Sequence, residues 1–334
     1  MNYWYQKSLL RLSDHPQEEV LNLLLLATRL KAEKKKGIED PLLFGKNIAL
    51  IFEKSSTRTR CAFEVAAADQ GAHCTFLTAQ DTHFGSKESL QDSAQVLGRM
   101  YDAIGYRGFE QNHLATIAKE AGVPVYNALT DLDHPTQMLA DLLTMREHSD
   151  KPLNELSFAY LGDARFNMGN SLLLMGALMG IDVRIAAPRQ YQPHQQIVTH
   201  ASTLAQKSGA RLTITEDPLQ AVRGVDFVHT DVWLSMGEDE DVWNERIEHL
   251  MPYRVTPELM KLAGEQTKFM HCLPSYHDRK TKAGNAFFEQ KKLVGIEVAH
   301  NVFTSPNSVV FDQAENRMHT IKALLVATLT KEAL

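Results

Sequence analysis

Short β-branched or aliphatic runs alternate with longer amphipathic stretches along this chain, and that alternation constrains the fold more than any other feature. Runs at 47–52, 73–77, 103–107 and 124–127 read as strands, and 157–161, 182–186, 211–215, 227–230 and 268–271 repeat the pattern. Helix-like segments lie between them. Residues 86–100 carry Leu90, Ala94 and Leu97 at helical spacing, continued by Tyr101, and 170–179 and 193–207 fill similar gaps further on. Strand, helix, strand, helix calls for parallel sheets covered on both faces. The predicted fold class is therefore α/β, with two doubly wound parallel-sheet domains flanking an active-site cleft. A length of 334 residues suits two domains. The boundary is expected after the helix at 136–148, where the sequence runs HSDKP, giving domains at 1–148 and 149–312. A last helix at 313–331, with Arg317 and His319, is expected to pack back onto the first domain.

Composition narrows the class. Hydrophobic residues make up 44% and charged residues 23%, which excludes a disordered or fibrous chain. The net charge of −6 argues against a general nucleic-acid binder, which needs a basic face to displace counterions from phosphates. The N-terminal sequence carries no secretory signal pattern, and the apolar run at 21–27 is far too short to cross a bilayer. Cys61, Cys74 and Cys272 form neither a CxxC pair nor a zinc-like spacing. Reduced thiols in a cytoplasmic protein are the expectation.

Four motifs each follow a predicted strand, and ligands of open α/β sheets bind at the carboxyl ends of strands. The first is Ser56-Thr57-Arg58-Thr59-Arg60. Ser56 suits an N-cap for a helix at 58–70, and the free N–H groups and positive dipole of a helix start favour an anion. Hydroxyls and guanidinium groups in the same turn match a phosphate. The segment read alone serves equally as a capped helix with solvated arginines. The second is His134-Pro135-Thr136-Gln137, with Pro135 at the first helical position and Met138, Leu139, Leu142 and Leu143 on an apolar face. His134 and Gln137 are expected to project from an exposed helix start toward a carbonyl or amide, or else His134 is only a cap. The third, Asp231-Val232-Trp233-Leu234-Ser235-Met236-Gly237, precedes an EDED run and reads either as a ligand-closing loop or as an ordinary surface loop. The fourth, His271-Cys272-Leu273-Pro274, offers a thiol that is equally at home as a small buried hydrophobe. The segment from Gly162 to Gly169 opens a helix after a strand but lacks the G-x-G-x-x-G pattern of a dinucleotide site. Arg107 ends a strand and, alone, reads as a surface residue.

In this order, STRTR, HPTQ, DxxxSMG and HCLP resemble the ornithine carbamoyltransferase family, and GDARFNMGNS and ENRMHTIKALL resemble further segments of it. The likeness spans about Leu9 to Thr330. STRTR and HPTQ are shared with aspartate carbamoyltransferases, whereas the Ser-Met-Gly loop and HCLP point to a basic amino acid acceptor. The resemblance implies transfer of the carbamoyl group of carbamoyl phosphate to the side-chain amine of L-ornithine, giving L-citrulline and phosphate, in arginine metabolism, with arginine biosynthesis as the expected setting. It implies that Ser56, Thr57, Arg58 and Thr59 hold the phosphate, that Arg107, His134 and Gln137 hold the carbamoyl group, and that Cys272, Leu273 and Arg317 line the same cleft. Asn167, Asp231, Ser235 and Met236 would bind ornithine, with Asp231 on the α-ammonium. Of these, Arg58, Arg107, His134, Cys272 and Asp231 are the candidate catalytic residues. The family's usual assembly implies a homotrimer, sometimes stacked into a larger one, with the segment around 83–87 reaching a neighbour's site. His83 stands where the family commonly has Gln, and Phe166 replaces a residue that is often polar.

No metal or organic cofactor is expected, because carbamoyl phosphate is already activated. The expected partners are the two small-molecule substrates, with no nucleic acid and no membrane. A carbamoyltransferase acting on putrescine or a modified ornithine is the nearest rival. A binding protein without turnover would be expected to have lost some of the candidate residues, and an NAD enzyme lacks its glycines.

Overall fold

A computed structural model describes residues 2–78, 80, 87–233 and 240–332, without the side chains of 240–242. It divides into two compact units, Met1–Leu143 with Ala314–Leu334, and Thr144–Gln313. Unit 1 runs α1 (Gln17–Lys35), β1 (Asn47–Phe52), α2 (Thr57–Asp69), β2 (His73–Thr78), α3 (Leu90–Met100), β3 (Ala103–Arg107), α4 (Gln111–Glu120), β4 (Val125–Leu129) and into α5 (Pro135–Glu147). Unit 2 continues through β5 (Ser157–Leu161), α6 (Asn167–Met179), β6 (Asp182–Ala186), α7 (Gln195–Ser208), β7 (Arg211–Thr215), α8 (Pro218–Val222), β8 (Phe227–Thr230), α9 (Glu240–Leu250), α10 (Pro257–Ala263), β9 (Lys268–His271), α11 (Lys282–Lys291) and α12 (His300–Phe303). The last helix, α13 (Val310–Leu329), starts in unit 2 and ends in unit 1. The first boundary between the units thus falls inside α5 and the second inside α13.

Both sheets are wholly parallel. Their strand orders are β2-β1-β3-β4 and β7-β6-β5-β8-β9. Chemistry explains who sits in the middle. The central β5 and β8 are buried along their whole length, and β1 along all but Asn47, as their apolar sequences require. The more polar HCTFLT and RLTIT form the edge strands β2 and β7 and stay partly exposed. The free edge of β4 is covered by Leu9, which donates its N–H to Val125 and accepts from Asn127. Helix starts follow the caps: Ser56 Oγ accepts from Thr59 N at 3.3 Å, and Ser89 Oγ from Asp92 N at 3.1 Å. The second cap moves the start of α3 to Leu90, four residues inside the sequence-based range. No described helix is long and apolar enough to cross a membrane.

Candidate functional site

In unit 1 the functional groups converge on Thr59. The cap at Ser56 turns the chain from β1 into α2 and brings Thr59, one turn in, to a fully buried position. Arg317, from α13, donates Nη1–H to Thr59 Oγ1 at 2.7 Å. Arg107, at the end of β3, reaches the same oxygen at 3.5 Å and also the Ala128 carbonyl at 3.5 Å. The ladder between β3 and β4 shifts register at Tyr106/Arg107, and Leu129 opposite holds φ 156°. A left-handed leucine beside a bulge is strain of the kind that aims a side chain at a functional site.

His134 sits just before α5. It is 3% exposed and Gln137 is 1% exposed, so the expectation that they project from an exposed helix start is corrected. From Asp133 to Met145 every residue is buried, not only the apolar face. Periodicity could not reveal this, since it marks where apolar residues sit and not how polar ones are covered. Burial, and then the charges of Arg317, Arg107 and Arg58, hold the His134 imidazole far below the usual histidine range. It is neutral at physiological pH and offers one N–H as a donor. Thr136 Oγ1 lies 3.4 Å from its Nδ1. Gln137 donates Nε2–H to Asp141 at 2.6 Å, and its Oε1 has no hydrogen-bond partner among the described residues. A buried amide oxygen in that state suits an N–H donor on a ligand.

Not every residue of the first motif joins in. Arg60 turns outward to pair with Glu64 at 2.9 Å and to lie over the Phe76 ring at 3.8 Å. Thr57 is exposed, and Ser56 and Arg58 are partly so.

Unit 2 gathers carboxylates. Asp231 follows β8, and its Oδ1 accepts from Val232 N at 2.8 Å and from the Cys272 thiol at 3.3 Å. Burial pushes the Asp231 carboxyl above its ordinary value, against the opposing pull of His271 and these two donors. His271 ends β9. Its Nδ1 accepts from Leu273 N at 2.9 Å, so its Nε2 carries the proton and faces Glu297 Oε1 at 3.3 Å. That oxygen also accepts from Ser275 Oγ at 2.6 Å and Tyr276 N at 2.8 Å. Burial alone would raise the fully buried Glu297, yet the bonds from His271 and Ser275 keep it below the usual glutamate range. Sequence reasoning missed Glu297: an acid inside an apolar run carries no motif. Leu273 adopts φ 60° ahead of a cis bond to Pro274.

Asn167 opens α6 and is partly exposed. The turn before it and the first turn of α6 each need a glycine. Gly162 has φ 134°, and a Cβ there would meet Trp233 Nε1 at 3.1 Å; a Cβ on Gly169 would lie 2.5 Å from the Ala164 backbone. Asp163 takes a two-point bond from Arg165 at 3.0 and 2.6 Å, and that guanidinium lies over Phe166 and Tyr191. Phe166 is therefore one of two aromatic faces flanking Arg165. His83, Ser235 and Met236 lie outside the described residues, and Lys87 is exposed ahead of α3. Asp231, His271 and Cys272 also bring one possible metal-ligand atom each within 4.8 Å of one another.

Known proteins share this organisation. Residues 7–147 match the family model of the aspartate/ornithine carbamoyltransferase carbamoyl-P binding domain, and 154–328 match that of the Asp/Orn binding domain. The chain is 60% identical over 328 residues to a protein of Pseudomonas putida named "Ornithine carbamoyltransferase, catabolic", covering 97% of this chain and 98% of that one. A Burkholderia mallei protein of the same name is 57% identical over the same shares. Among solved structures, ornithine carbamoyltransferase from Pyrococcus furiosus aligns with a TM-score of 0.90 at 38% identity, covering 98% of each chain. The anabolic enzyme of Campylobacter jejuni aligns at 0.85 and 35%, covering 96% of this chain and 97% of that one.

Proposed function

The chain belongs to the aspartate/ornithine carbamoyltransferase family, and from that premise we propose that it moves the carbamoyl group of carbamoyl phosphate onto the side-chain amine of L-ornithine, giving L-citrulline and phosphate. The observation that carries the reading is the buried cluster of unit 1, in which Thr59, Arg107 and Arg317 are bonded together and, with Arg58, impose positive charge on His134.

That cluster fits a small dianion attached to a carbonyl. Ser56, Thr57, Arg58 and Thr59 take the phosphate, with Arg317 adding charge through Thr59. Arg107 and neutral His134 donate to the carbonyl oxygen, and the free Oε1 of Gln137 accepts from the carbamoyl NH2. Attack by the amine nitrogen forms the new C–N bond and pushes negative charge onto that oxygen. The C–O bond to phosphate then breaks with its electron pair going to the leaving oxygen, and the nitrogen gives up its proton to the departing phosphate. Preplaced donors contribute most at the charged stage, each on the order of 3–4 kcal/mol in the barrier. The attacking amine has a pKa near ~10.4 in water, so a cationic surrounding that favours its neutral form also speeds the reaction.

In unit 2, Asp231 takes the α-ammonium of ornithine, aided by Asn167, with Ser235 and Met236 as the remaining contacts; Cys272 and Leu273 belong with the carbamoyl phosphate contacts. Putrescine is ornithine without its α-carboxylate and keeps an ammonium for Asp231. The group that rejects it is therefore the one that meets that carboxylate, for which Asn167 is the candidate, because a site built to pair a charge discriminates strongly against a ligand without it. We further propose a cytoplasmic homotrimer. The names of the Pseudomonas putida and Burkholderia mallei relatives favour a catabolic role in arginine metabolism over the biosynthetic setting expected from the motifs.

The test is product formation from carbamoyl phosphate with ornithine, acetylornithine, putrescine and aspartate as separate acceptors. Ornithine is expected to give by far the largest kcat/KM. Equal turnover of acetylornithine, whose α-amine carries no charge, would overturn the role of Asp231. Equal turnover of putrescine would overturn recognition of the α-carboxylate, and turnover of aspartate alone would overturn the choice of acceptor. Sedimentation at working concentration checks the trimer.

A further inference from the structure

A second cluster of unit 2 lies outside every residue assigned so far. His277 and Asp278 follow β9 beyond Pro274, and His300 is the first residue of α12. One ligand-type atom from each lies within 4.8 Å of the other two. The Nδ1 atoms of His277 and His300 are 3.0 Å apart, the ring planes differ by 6°, and the ring centres are 5.2 Å apart. Those distances place the rings edge to edge, nitrogen facing nitrogen. Only one of the two nitrogens can hold the proton between them, so the other presents a lone pair.

The cluster is held from behind. The ring of His277 lies flat on Phe303, with centroids 3.6 Å apart and planes within 3°. The segment leading to it is tied to the strand-like 296–297 segment by three bonds: Ser275 Oγ and Tyr276 N to Glu297, and Ile296 N to the Tyr276 carbonyl at 2.9 Å. Asp278 accepts from the Lys280 backbone N–H at 2.9 Å, and the Lys280 ammonium, on a side chain 91% exposed, stands 3.9 Å from its other oxygen. An exposed lysine at that distance is easily displaced.

The geometry points to a binding site for one divalent transition-metal ion of the zinc, cobalt or nickel kind, held by Nδ1 of His277, Nδ1 of His300 and a carboxylate oxygen of Asp278, with its remaining positions open to water. Two imidazoles on a tetrahedral zinc at about 2.0–2.1 Å have nitrogens roughly 3.3 Å apart, so the pair opens by only a few tenths of an ångström. Two imidazole nitrogens beside one carboxylate suit these ions and not magnesium or calcium, which prefer oxygen alone. The ion takes the place of the proton between the facing nitrogens and uses both lone pairs. It also ties the segment that follows Leu273 to the start of α12. The group Asp231, His271 and Cys272 differs in kind, because it offers a thiol and carries the acceptor reading above.

The probe is cobalt(II) alone, titrated into untagged, chelator-treated full-length enzyme and followed by visible absorbance and equilibrium dialysis. One equivalent per chain is expected, with ligand-field bands and no sulfur-to-cobalt charge-transfer band in the near ultraviolet. Zinc should displace it. His300→Ala changes an exposed side chain and should weaken the affinity at least 10-fold with an unchanged circular dichroism spectrum; Asp278→Asn should weaken it by less. Cys272→Ser should keep the equivalent. Unchanged binding in His300→Ala, loss of the equivalent in Cys272→Ser, or a strong sulfur charge-transfer band would each overturn the assignment.

Discussion

Two buried histidines, one in each unit, stand in fields of opposite sign. His134 faces Arg317, Arg107 and Arg58, whereas His271 stands 3.3 Å from Glu297 and near Asp231. Both lie at or beyond the carboxyl end of a parallel strand, His271 as the last residue of β9 and His134 past β4, immediately before α5. Their neighbours differ. In unit 1, α2 and α13 bring a hydroxyl and guanidinium groups; in unit 2, the loop after β8 and the 296–297 segment bring carboxylates. A parallel sheet therefore fixes where a ligand group goes, while the following turns set which charge it welcomes. The guanidinium groups of unit 1 and the carboxylates of unit 2 match the division of labour that the proposed pair of substrates requires.

Removing one guanidinium from the anionic half breaks the comparison most sharply. Arg58→Gly should lower kcat/KM for carbamoyl phosphate by about 10²–10³, the usual consequence of losing one donor to a developing oxyanion or leaving group. Arg58 is partly exposed, so circular dichroism should not change. Near-wild-type kinetics in the folded variant would return the STRTR segment to a plain helix cap.

The matching change in the other half is Asp231→Asn. Loss of a charged hydrogen bond worth roughly 1.5–3 kcal/mol should raise the KM for ornithine about 10–100-fold and leave that for carbamoyl phosphate nearly unchanged. The carboxylate form is the one that pairs with an ammonium. Because burial raises the Asp231 value, ornithine affinity in the wild type should begin to fail, as pH drops, sooner than an ordinary aspartate would predict. The asparagine variant should lose that limb of the profile. An unchanged acid limb would remove Asp231 from the acceptor site.

Stability under acid probes the neutral histidines of both units. Burial lowers His15 to about 4 and His229 to about 3, and holds His134 far down as well. The unfolded chain takes these protons near pH 6.5, while the folded one does not until well below. Stability is complete above that value and falls as pH drops through the window between about 6.5 and 3–4, by about 2 kcal/mol for each of His15 and His229 at pH 5. Urea unfolding at pH 7.5 and 5 measures this. His229→Leu should lose less stability between the two pH values than the wild type does; equal losses would mean that His229 is charged in the fold.

The strands were legible because most are short, nearly continuous apolar runs, and the polar edge strands β2 and β7 still carry β-branched or aliphatic residues. Eight of nine keep their sequence-based start, and only β4 begins one residue late and extends to Leu129. Its end rests on a left-handed leucine and a register shift, which no propensity encodes. In the same way α6 starts at Asn167 and not at 170, since Phe166 at its N-cap makes no capping bond to announce it. Within the candidate site, Arg107 and Arg317 carried no local signal and were reached only through the family likeness. Thr59 was placed among phosphate contacts, but its part as the shared acceptor of Arg107 and Arg317 depends on α13, more than two hundred residues away in sequence. Long-range bonds of this kind, like the burial of Glu297, are written in the packing and not in any window of the chain.

The smallest effect gives the finest separation between a structural and a ligand role. Ser56 and Thr256 are equivalent caps: each side-chain oxygen accepts from the backbone N–H three residues on at 3.3 Å, at the start of α2 and of α10. Replacing either by alanine should cost about 1 kcal/mol of stability, seen as a lower urea midpoint with an unchanged slope. The kinetics should differ. The start of α2 carries the proposed phosphate contacts, so Ser56→Ala should also raise the KM for carbamoyl phosphate several-fold. The start of α10 carries no assigned residue, so Thr256→Ala should leave both KM values alone. A glycine at position 56 keeps most of the helix start, because glycine is nearly as good a cap as serine. Ser56→Gly should therefore recover stability without recovering affinity. If affinity returned with stability, the hydroxyl of Ser56 would be a cap and nothing more, and the phosphate contacts would begin at Thr57.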